Sequence, residues 1–481
     1  MRILVSAAHK SSGKTTVTLG LCAALRARGL RVQPYKKGPD YIDPLWLGHA
    51  AGRPCVNLDF YTMSHDEIVT AVGARAQDSD IAVIEGNKGL FDGLDLDGSN
   101  SNAALARLLA TPVVLVIDAR GMTRGIAPLL LGYQAFEADI RIAGVILNRL
   151  GGSRHESKLR AVIEHYTDVA VIGAVHEDRA LEIVERHLGL MPSNEHAQAG
   201  AHIARIADRI RAQVDLDRLL DIAATTTPIS IVPSLDVQTE NAPKRRIGVA
   251  RDAAFGFYYQ TDLEALERNG AELVFFDTLH DSRLPALDGL FIGGGFPETH
   301  MQALEANRAM RHAIRQAIDD GLPAYAECGG LMYLARSISW NGKRHAMVGV
   351  IEGDVVMHEK PQGRGYVRLQ ETADGLWPDA QSAMTPFSGH EFHYSSIENL
   401  PADTRFAYQV LRGHGVDGRH DGIVYRNLLA SYSHLRDTAQ QHWTRRFMDF
   451  VRGRITGTDA SLPPPGTADR PCPSSPREDN A

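Results

Sequence analysis

Short apolar runs alternate with amphipathic stretches along the first half of the chain. Ile3 to Ser6 forms the first run, and a turn rich in Gly, Ser and Lys follows it. An apolar-periodic stretch from about Thr15 to Arg28 predicts a helix, closed by Gly29, and Arg31 to Gln33 opens the next strand. Ile81–Ile84, Val113–Ile117 and Ala143–Leu147 are further runs of strand length, with helical patterns between them. Near-continuous apolar strands alternating with helices predict a parallel sheet covered on both faces. The pattern fades near Ala224. Residues 225–245 are Thr-rich, carry Pro228, Pro233 and Pro243, and read as a linker between a first domain over 1–224 and a second over 246–452. The alternation restarts with Ile247–Ala250, a helix from about Tyr259 to Asn269 and the strands Leu273–Phe276 and Leu290–Ile292. A long helix from about Met301 to Asp319 and the strand Ala324–Ala326 complete a second α/β domain. Residues 457–481, with Pro463, Pro464 and Pro465, read as a disordered tail.

Composition narrows the function classes. A chain of 481 residues is too long for one ordinary core. With 44% hydrophobic and 23% charged residues it has the balance of a soluble globular protein. A formal charge of −7 argues against non-specific nucleic-acid binding but leaves room for an anionic small molecule at a local cluster of Lys and Arg. Cys22, Cys55, Cys328 and Cys472 form no CxxC pair, so neither disulfides nor structural zinc are expected. The start of the chain lacks a signal-peptide layout and no apolar run approaches membrane-spanning length, so a cytoplasmic protein without a membrane partner is expected.

Three segments of the first half carry chemistry. Ala8-His9-Lys10-Ser11-Ser12-Gly13-Lys14-Thr15-Thr16 lies between a strand and a helix and nearly matches the Walker A pattern, with Ala8 in place of the first glycine. Backbone N–H groups of such a turn cradle phosphates, Lys14 adds a point charge, and the Thr15 hydroxyl can ligate Mg²⁺. Ser12, Gly13, Lys14, Thr15 and Thr16 are therefore the expected ATP-binding residues. Lys36-Lys37-Gly38-Pro39-Asp40-Tyr41-Ile42-Asp43-Pro44 reads as a mixed-charge loop able to hold a carboxylate and Mg²⁺ together. In Val83-Ile84-Glu85-Gly86-Asn87-Lys88-Gly89-Leu90-Phe91-Asp92-Gly93, Glu85 ends an apolar strand and is expected to face the metal with Thr15 and Asp43. Asp92 either orients substrate or simply forms a turn before Gly93.

In the second half, Ala324-Tyr325-Ala326-Glu327-Cys328-Gly329-Gly330 places a cysteine at a sharp strand-to-helix turn, which exposes the sulfur and favours the thiolate. His434 is the expected base, with His390 and His393 as rivals. The run Gly293-Gly294-Gly295, together with Gly329, offers backbone N–H groups for an oxyanion hole, with Gly294, Gly295 and Gly329 as the candidates.

In this order the motifs resemble the cobyrinic acid a,c-diamide synthase family from Ile3 to about Phe450: Ser12–Thr15, similar to dethiobiotin-synthetase-type ATPases, Lys37–Pro44, Glu85–Gly93, Gly293–Glu298 and Glu327–Gly330. The resemblance implies a P-loop ATPase domain joined to a class I glutamine amidotransferase domain. It implies that glutamine is hydrolysed at Cys328 and His434, that Mg-ATP phosphorylates a peripheral carboxylate of a tetrapyrrole, and that ammonia displaces the phosphate. Lys37, Asp40, Tyr41 and Asp92 would contact or orient the ring, and a homodimer is compatible with this. Many class I glutaminases place a Glu two residues after the histidine, and Ser433-His434-Leu435-Arg436 has none. Asn87-Lys88 and Asp97-Gly98-Ser99-Asn100-Ser101-Asn102 look similar to a sister branch proposed to amidate sirohaem, which makes sirohaem the alternative ring. A P-loop switch ATPase with a vestigial glutaminase domain is the alternative of another class.

Overall fold

The computed structural model describes residues 1–181, 183, 185–186, 189–195, 198–229, 243–377 and 385–456. Cys472, the expected tail and the middle of the expected linker lie outside them. In the first half seven strands form one parallel sheet in the spatial order Val56–Leu58, Val32–Lys37, Ile81–Glu85, Arg2–Ala7, Val113–Asp118, Ile142–Leu150, Val171–His176. Every residue of the four strands Val32–Lys37, Ile81–Glu85, Arg2–Ala7 and Val113–Asp118 is buried, which accounts for their unbroken apolar runs. Apolar clusters fill both faces under the helices. The helix Lys14–Ala27 packs so closely on Ala199–Gln213 that a Cβ on Gly20 would lie 2.4 Å from Ile210 Cγ1.

This strand order brings the three N-terminal motifs to one edge. Arg2–Ala7, Ile81–Glu85 and Val32–Lys37 are neighbours, so their carboxyl ends lie side by side, where open α/β sheets bind ligands. Lys36 and Lys37 are the last residues of a strand rather than part of a loop, because Lys36 pairs in register with Glu85 and Asn57. Burial between two strands fixes both side chains.

The second half holds a nine-stranded sheet in the order Ala271–Phe276, Arg245–Ala250, Gly289–Ile292, Ala324–Glu327, Leu428–Ser431, His420–Tyr425, Arg405–Arg412, Gly363–Glu371, Phe387–His393. The first five pair in parallel and the rest antiparallel. The single helix expected from about Met301 to Asp319 is two, Met301–Ala306 and Arg308–Asp319, because the Asn307 side chain accepts from Met310 N at 3.3 Å and caps a new start. The last described helix runs from Trp443 to Thr456.

The halves are sealed by aromatic packing and a few hydrogen bonds. Tyr41 of the first half clusters with Phe257, Tyr259 and Phe296 of the second. The Tyr366 hydroxyl donates to Asp59 Oδ1 at 2.6 Å, and its ring stacks on Tyr61 at 4.2 Å between centroids.

Candidate functional site

The turn before the helix Lys14–Ala27 is tight because Ser11 and Gly13 both take left-handed backbone angles, φ 66° and 81°. A Cβ at Gly13 would lie 2.2 Å from Asn148 Nδ2, which donates to Ser12 O at 2.8 Å, so glycine alone fits there. Ser12, Gly13, Lys14, Thr15 and Thr16 all line one cavity of about 1400 Å³. Within it the Thr15 hydroxyl reaches Glu85 Oε1 at 2.7 Å and Asp43 Oδ2 at 3.3 Å. Lys14 Nζ lies 3.6 Å from Glu85 Oε1. Lys36 Nζ lies 2.9 Å from Glu85 Oε1 and pairs with Asp43. Burial works against the charge on Lys36, but Asp43 and Glu85 hold its pKa above the ordinary range. For Asp43, burial is outweighed by Lys36, and the carboxyl is held below its usual range.

Thr15, Asp43 and Glu85 therefore meet at one point as a donor set made entirely of oxygens, the kind Mg²⁺ prefers. Glu85 Oε2 is buried without a hydrogen-bond partner among the described residues, and a cation beside it would satisfy it. The residues present fit the metal.

Asp40 is placed otherwise than as a free ligand. Its Oδ1 accepts from Ile42 N at 2.9 Å and Asp43 N at 3.1 Å and so caps the helix Ile42–Ala51 that carries Asp43. Burial, with Asp43 alongside, raises its carboxyl to about 7. Lys37 is buried, holds Asn87 Oδ1 at 3.2 Å and lies 5.9 Å from the centre of the Phe60 ring. Burial lowers its pKa to about 8. Asp92 is exposed, does not line the cavity and accepts from Gly89 N at 2.8 Å, the turn-forming arrangement. The residue that shapes the Glu85–Gly93 segment is one the sequence reading missed. Asn102 Nδ2 donates to Gly89 O at 2.7 Å and Ser6 Oγ at 3.1 Å, while its Oδ1 accepts from Asn87 N at 3.1 Å.

Cys328 stands between the strand Ala324–Glu327 and the helix Gly329–Leu334 at φ 46°, a strained angle for a side chain with a Cβ. The elbow is tight: a Cβ on Gly330 would lie 2.1 Å from Ile292 O. Cys328 is 7% exposed, and its sulfur lies 3.9 Å from Phe392 O. Of the three candidate histidines, His434 is the one whose charge Cys328 supports, and both line the cavity. His390 also lines the cavity, where burial and the nearby His434 drive its pKa down to about 3. His393 turns Nδ1 to Ser395 O at 2.8 Å and stacks on Tyr432 at 3.9 Å.

The carboxylate absent from the Ser433–Arg436 stretch comes from elsewhere. Glu327 Oε2 lies 3.1 Å from His434 Nδ1, while its Oε1 accepts from Tyr325 Oη at 2.7 Å and Leu435 N at 2.9 Å. Glu327 precedes Cys328 on a strand paired in register with Leu428–Ser431, so its side chain points along the same edge as the His434 loop. Only that adjacency in sequence could have signalled it. Burial lowers the pKa of His434, but neighbouring Cys328 and then the hydrogen bond to Glu327 outweigh it and lift it from 6.5 to about 10. Of the oxyanion candidates, Gly295 lines the cavity beside Cys328. A Cβ on Gly329 would lie 2.9 Å from Gly295 N, and one on Gly294 would lie 2.7 Å from His434 Cε1, so all three glycines crowd the same corner. Gly293 N already donates to Tyr258 Oη at 3.0 Å.

Tyr41, from the first half, packs its ring 4.9 Å from His434 and 4.7 Å from Tyr259. The two constellations thus open on one cavity, with Tyr41 between them. Among the described residues no helix is long and apolar enough to cross a membrane.

Comparison with known proteins agrees with this division. A model of the CobQ/CobB/MinD/ParA nucleotide-binding domain matches residues 3–190, and one of the CobB/CobQ-like glutamine amidotransferase domain matches residues 246–441. The chain is 46% identical over 458 residues to the cobyrinate a,c-diamide synthase of Magnetococcus marinus, covering 94% of this chain and 97% of that protein. It is 41% identical over 465 residues to the cobyrinate a,c-diamide synthase of Methanosarcina acetivorans, covering 91% and 93%. The same named enzyme of Listeria monocytogenes is 39% identical over 436 residues, covering 90% and 96%.

Replacing Glu327 with Gln removes one of the two charges that raise His434, leaving Cys328. Because the folded-state pKa of His434 is raised, the stability its proton contributes is complete below about 6.5 and lost as pH rises through about 10. In Glu327→Gln that upper limit moves to lower pH. Glutaminase kcat/KM at neutral pH is expected to fall by roughly 10²-fold, with its alkaline limb displaced the same way. A pH profile with glutamine alone checks this, and an unmoved limb excludes Glu327 as the orienting carboxylate.

Proposed function

Since the chain belongs to the cobyrinate a,c-diamide synthase family and is a glutamine-dependent carbon–nitrogen ligase, we propose that it uses ATP to convert the a and c acetate carboxylates of cobyrinate to amides. The observation that carries this reading is the single cavity lined by both Cys328 with His434 and the Ser12–Thr16 turn.

At the first constellation the Cys328 sulfur attacks the side-chain amide carbon of glutamine. A C–S bond forms, the oxyanion is met by backbone N–H groups of the Gly294, Gly295 and Gly329 corner, and His434 gives the departing nitrogen its proton. Water then cleaves the thioester to glutamate. Glu327 keeps the His434 ring turned toward the sulfur throughout. At the second constellation a substrate carboxylate oxygen attacks the γ-phosphorus of ATP, and ADP leaves. Lys14 and the N–H groups of the turn hold the phosphates in place, and Lys37 attracts the substrate anion. Thr15, Asp43 and Glu85 would hold Mg²⁺, which when bound neutralises phosphate charge. Ammonia attacks the carbonyl carbon of the acyl phosphate, a C–N bond forms and phosphate departs.

The full-length protein incubated with glutamine, Mg-ATP and cobyrinate is expected to give two successive carboxyl-to-amide mass changes. A parallel incubation with sirohaem tests the sister ring. Product from sirohaem alone would move the assignment there, and product from neither would end it. Cys328→Ser should abolish glutamine-dependent synthesis yet leave synthesis from free ammonia at raised pH. Loss of both in a folded variant would count against two separable sites. Lys14→Ala should stop synthesis from either nitrogen source, and unchanged turnover would remove the P-loop from the reaction. The folded-state pKa of Lys37 is lowered, so its charge is present below about 8 and lost above it. The kcat/KM for the tetrapyrrole should therefore fall above pH about 8, and Lys37→Met should flatten that limb.

A further inference from the structure

The two constellations are also joined by side chains that neither half-reaction consumes. Arg436 lies two residues beyond His434 and is buried. Its Nη2 donates to the backbone oxygen of Asn57, in the other domain, at 2.6 Å. Its guanidinium stands 4.9 Å from the centre of the Tyr259 ring, and Nη1 is buried without a hydrogen-bond partner among the described residues. Asp262 feels its charge, while its hydrogen bond is spent on a neutral carbonyl of the other domain, where apolar packing would hold as well.

The residue it grips is itself a clamp. Asn57 Nδ2 donates to Gly38 O at 2.8 Å and Asp40 O at 2.7 Å. Asp40 caps the helix bearing Asp43, and Asp43 pairs with Lys36 and accepts from Thr15. Tyr41, in the same loop, meets His434 directly. The segment 38–43 is thus tied to the His434 loop twice, once through the Tyr41 ring and once through Asn57 and Arg436.

We propose that Arg436 is a positioning residue that locks the His434 loop to the 38–43 segment, so that filling the phosphate and carboxylate end of the cavity improves the alignment of His434 on Cys328. The proposal rests on the reading above for what the two ends bind. Ligands at Asp43 and Lys36 change the charge balance that seats the helix Ile42–Ala51. Only such differential contact lets a ligand shift a distant equilibrium. Glutamine is then hydrolysed fastest when an acceptor is ready for its nitrogen.

The test is glutamate release by the full-length protein with and without Mg-ATP plus cobyrinate. The unaltered protein should be stimulated at least about fivefold, the lower end of ordinary site-to-site coupling. Arg436→Met, neutral and of similar length, should bring that ratio below about twofold while ammonia-driven amidation stays within about twofold of normal. Arg436→Lys, which restores a cation and a donor, should recover part of the ratio. An intact ratio in Arg436→Met overturns the proposal, as does an unaltered protein with no stimulation. Loss of both activities in a variant that melts normally overturns it too, because Arg436 would then be merely structural. If Arg436→Met does not fold, Asn57→Ala, which frees the Gly38 and Asp40 carbonyls, takes its place: collapse of the ratio supports the proposal and an unchanged ratio overturns it. Should the protein amidate no tetrapyrrole, the substrate reading fails by itself, and stimulation by Mg-ATP alone still reports on Arg436.

Discussion

The contact between the Tyr41 ring and His434 is the constraint on which the arrangement of this molecule turns. Two α/β domains could be strung on a linker with their chemistries facing anywhere. Here the loop after the strand Val32–Lys37 is pushed into the aromatic cluster of the second domain, next to the histidine that faces Cys328. The consequence is one continuous cavity instead of two clefts. Under the proposed reading, nitrogen set free at the sulfur would reach the Ser12–Thr16 turn without leaving that cavity.

Around that contact the electrostatics divide by domain. In the first, Glu85 sits fully buried at the end of a strand and is tolerable only because Lys14, Lys36 and the Thr15 hydroxyl surround it. Lys36 is the counterion that holds Asp43 and Glu85 together. In the second, His434 is equally buried, and Cys328 and Glu327 keep it protonated against the pull of desolvation. Each site thus stores charge in a dry place and balances it with neighbours from adjacent strand ends. Parallel strands ending at one edge make such a cluster possible without long side chains or flexible loops.

Much of this was legible in the chain itself, and the reason is local. Gly13, Lys14 and Thr15 act through a turn whose geometry is written in consecutive residues, and Cys328 announces itself by the strand before it and the two glycines after it. What was not legible depends on strand neighbours. Glu327 reaches His434 only because its strand lies beside Leu428–Ser431, and no spacing rule in sequence encodes that pairing. Lys36 and Lys37 looked like loop residues because lysine is rare in a buried strand. They are buried there because Glu85, Asp43 and Asn87 receive their charges. Asn102 and Asn57, the two amides that shape the loops around the first site, gave no signal of that role, since the carbonyls they hold lie elsewhere in the chain.

The same reasoning bears on which side chains choose the substrate. The phosphate end is built from backbone N–H groups and one lysine, and such groups recognise any nucleoside triphosphate tail. The sulfur end is built from backbone amides, a histidine and a carboxylate, suited to any accessible primary amide. Neither end distinguishes one tetrapyrrole from another. Between them the cavity wall carries Lys37, buried with its amine on Asn87 Oδ1, and Lys88, exposed at a φ of 45°. Two amines on one wall make that stretch of the cavity attractive to an anion. Under the proposed reading, the choice of ring is then a question of where the carboxylates of the guest sit relative to those two amines.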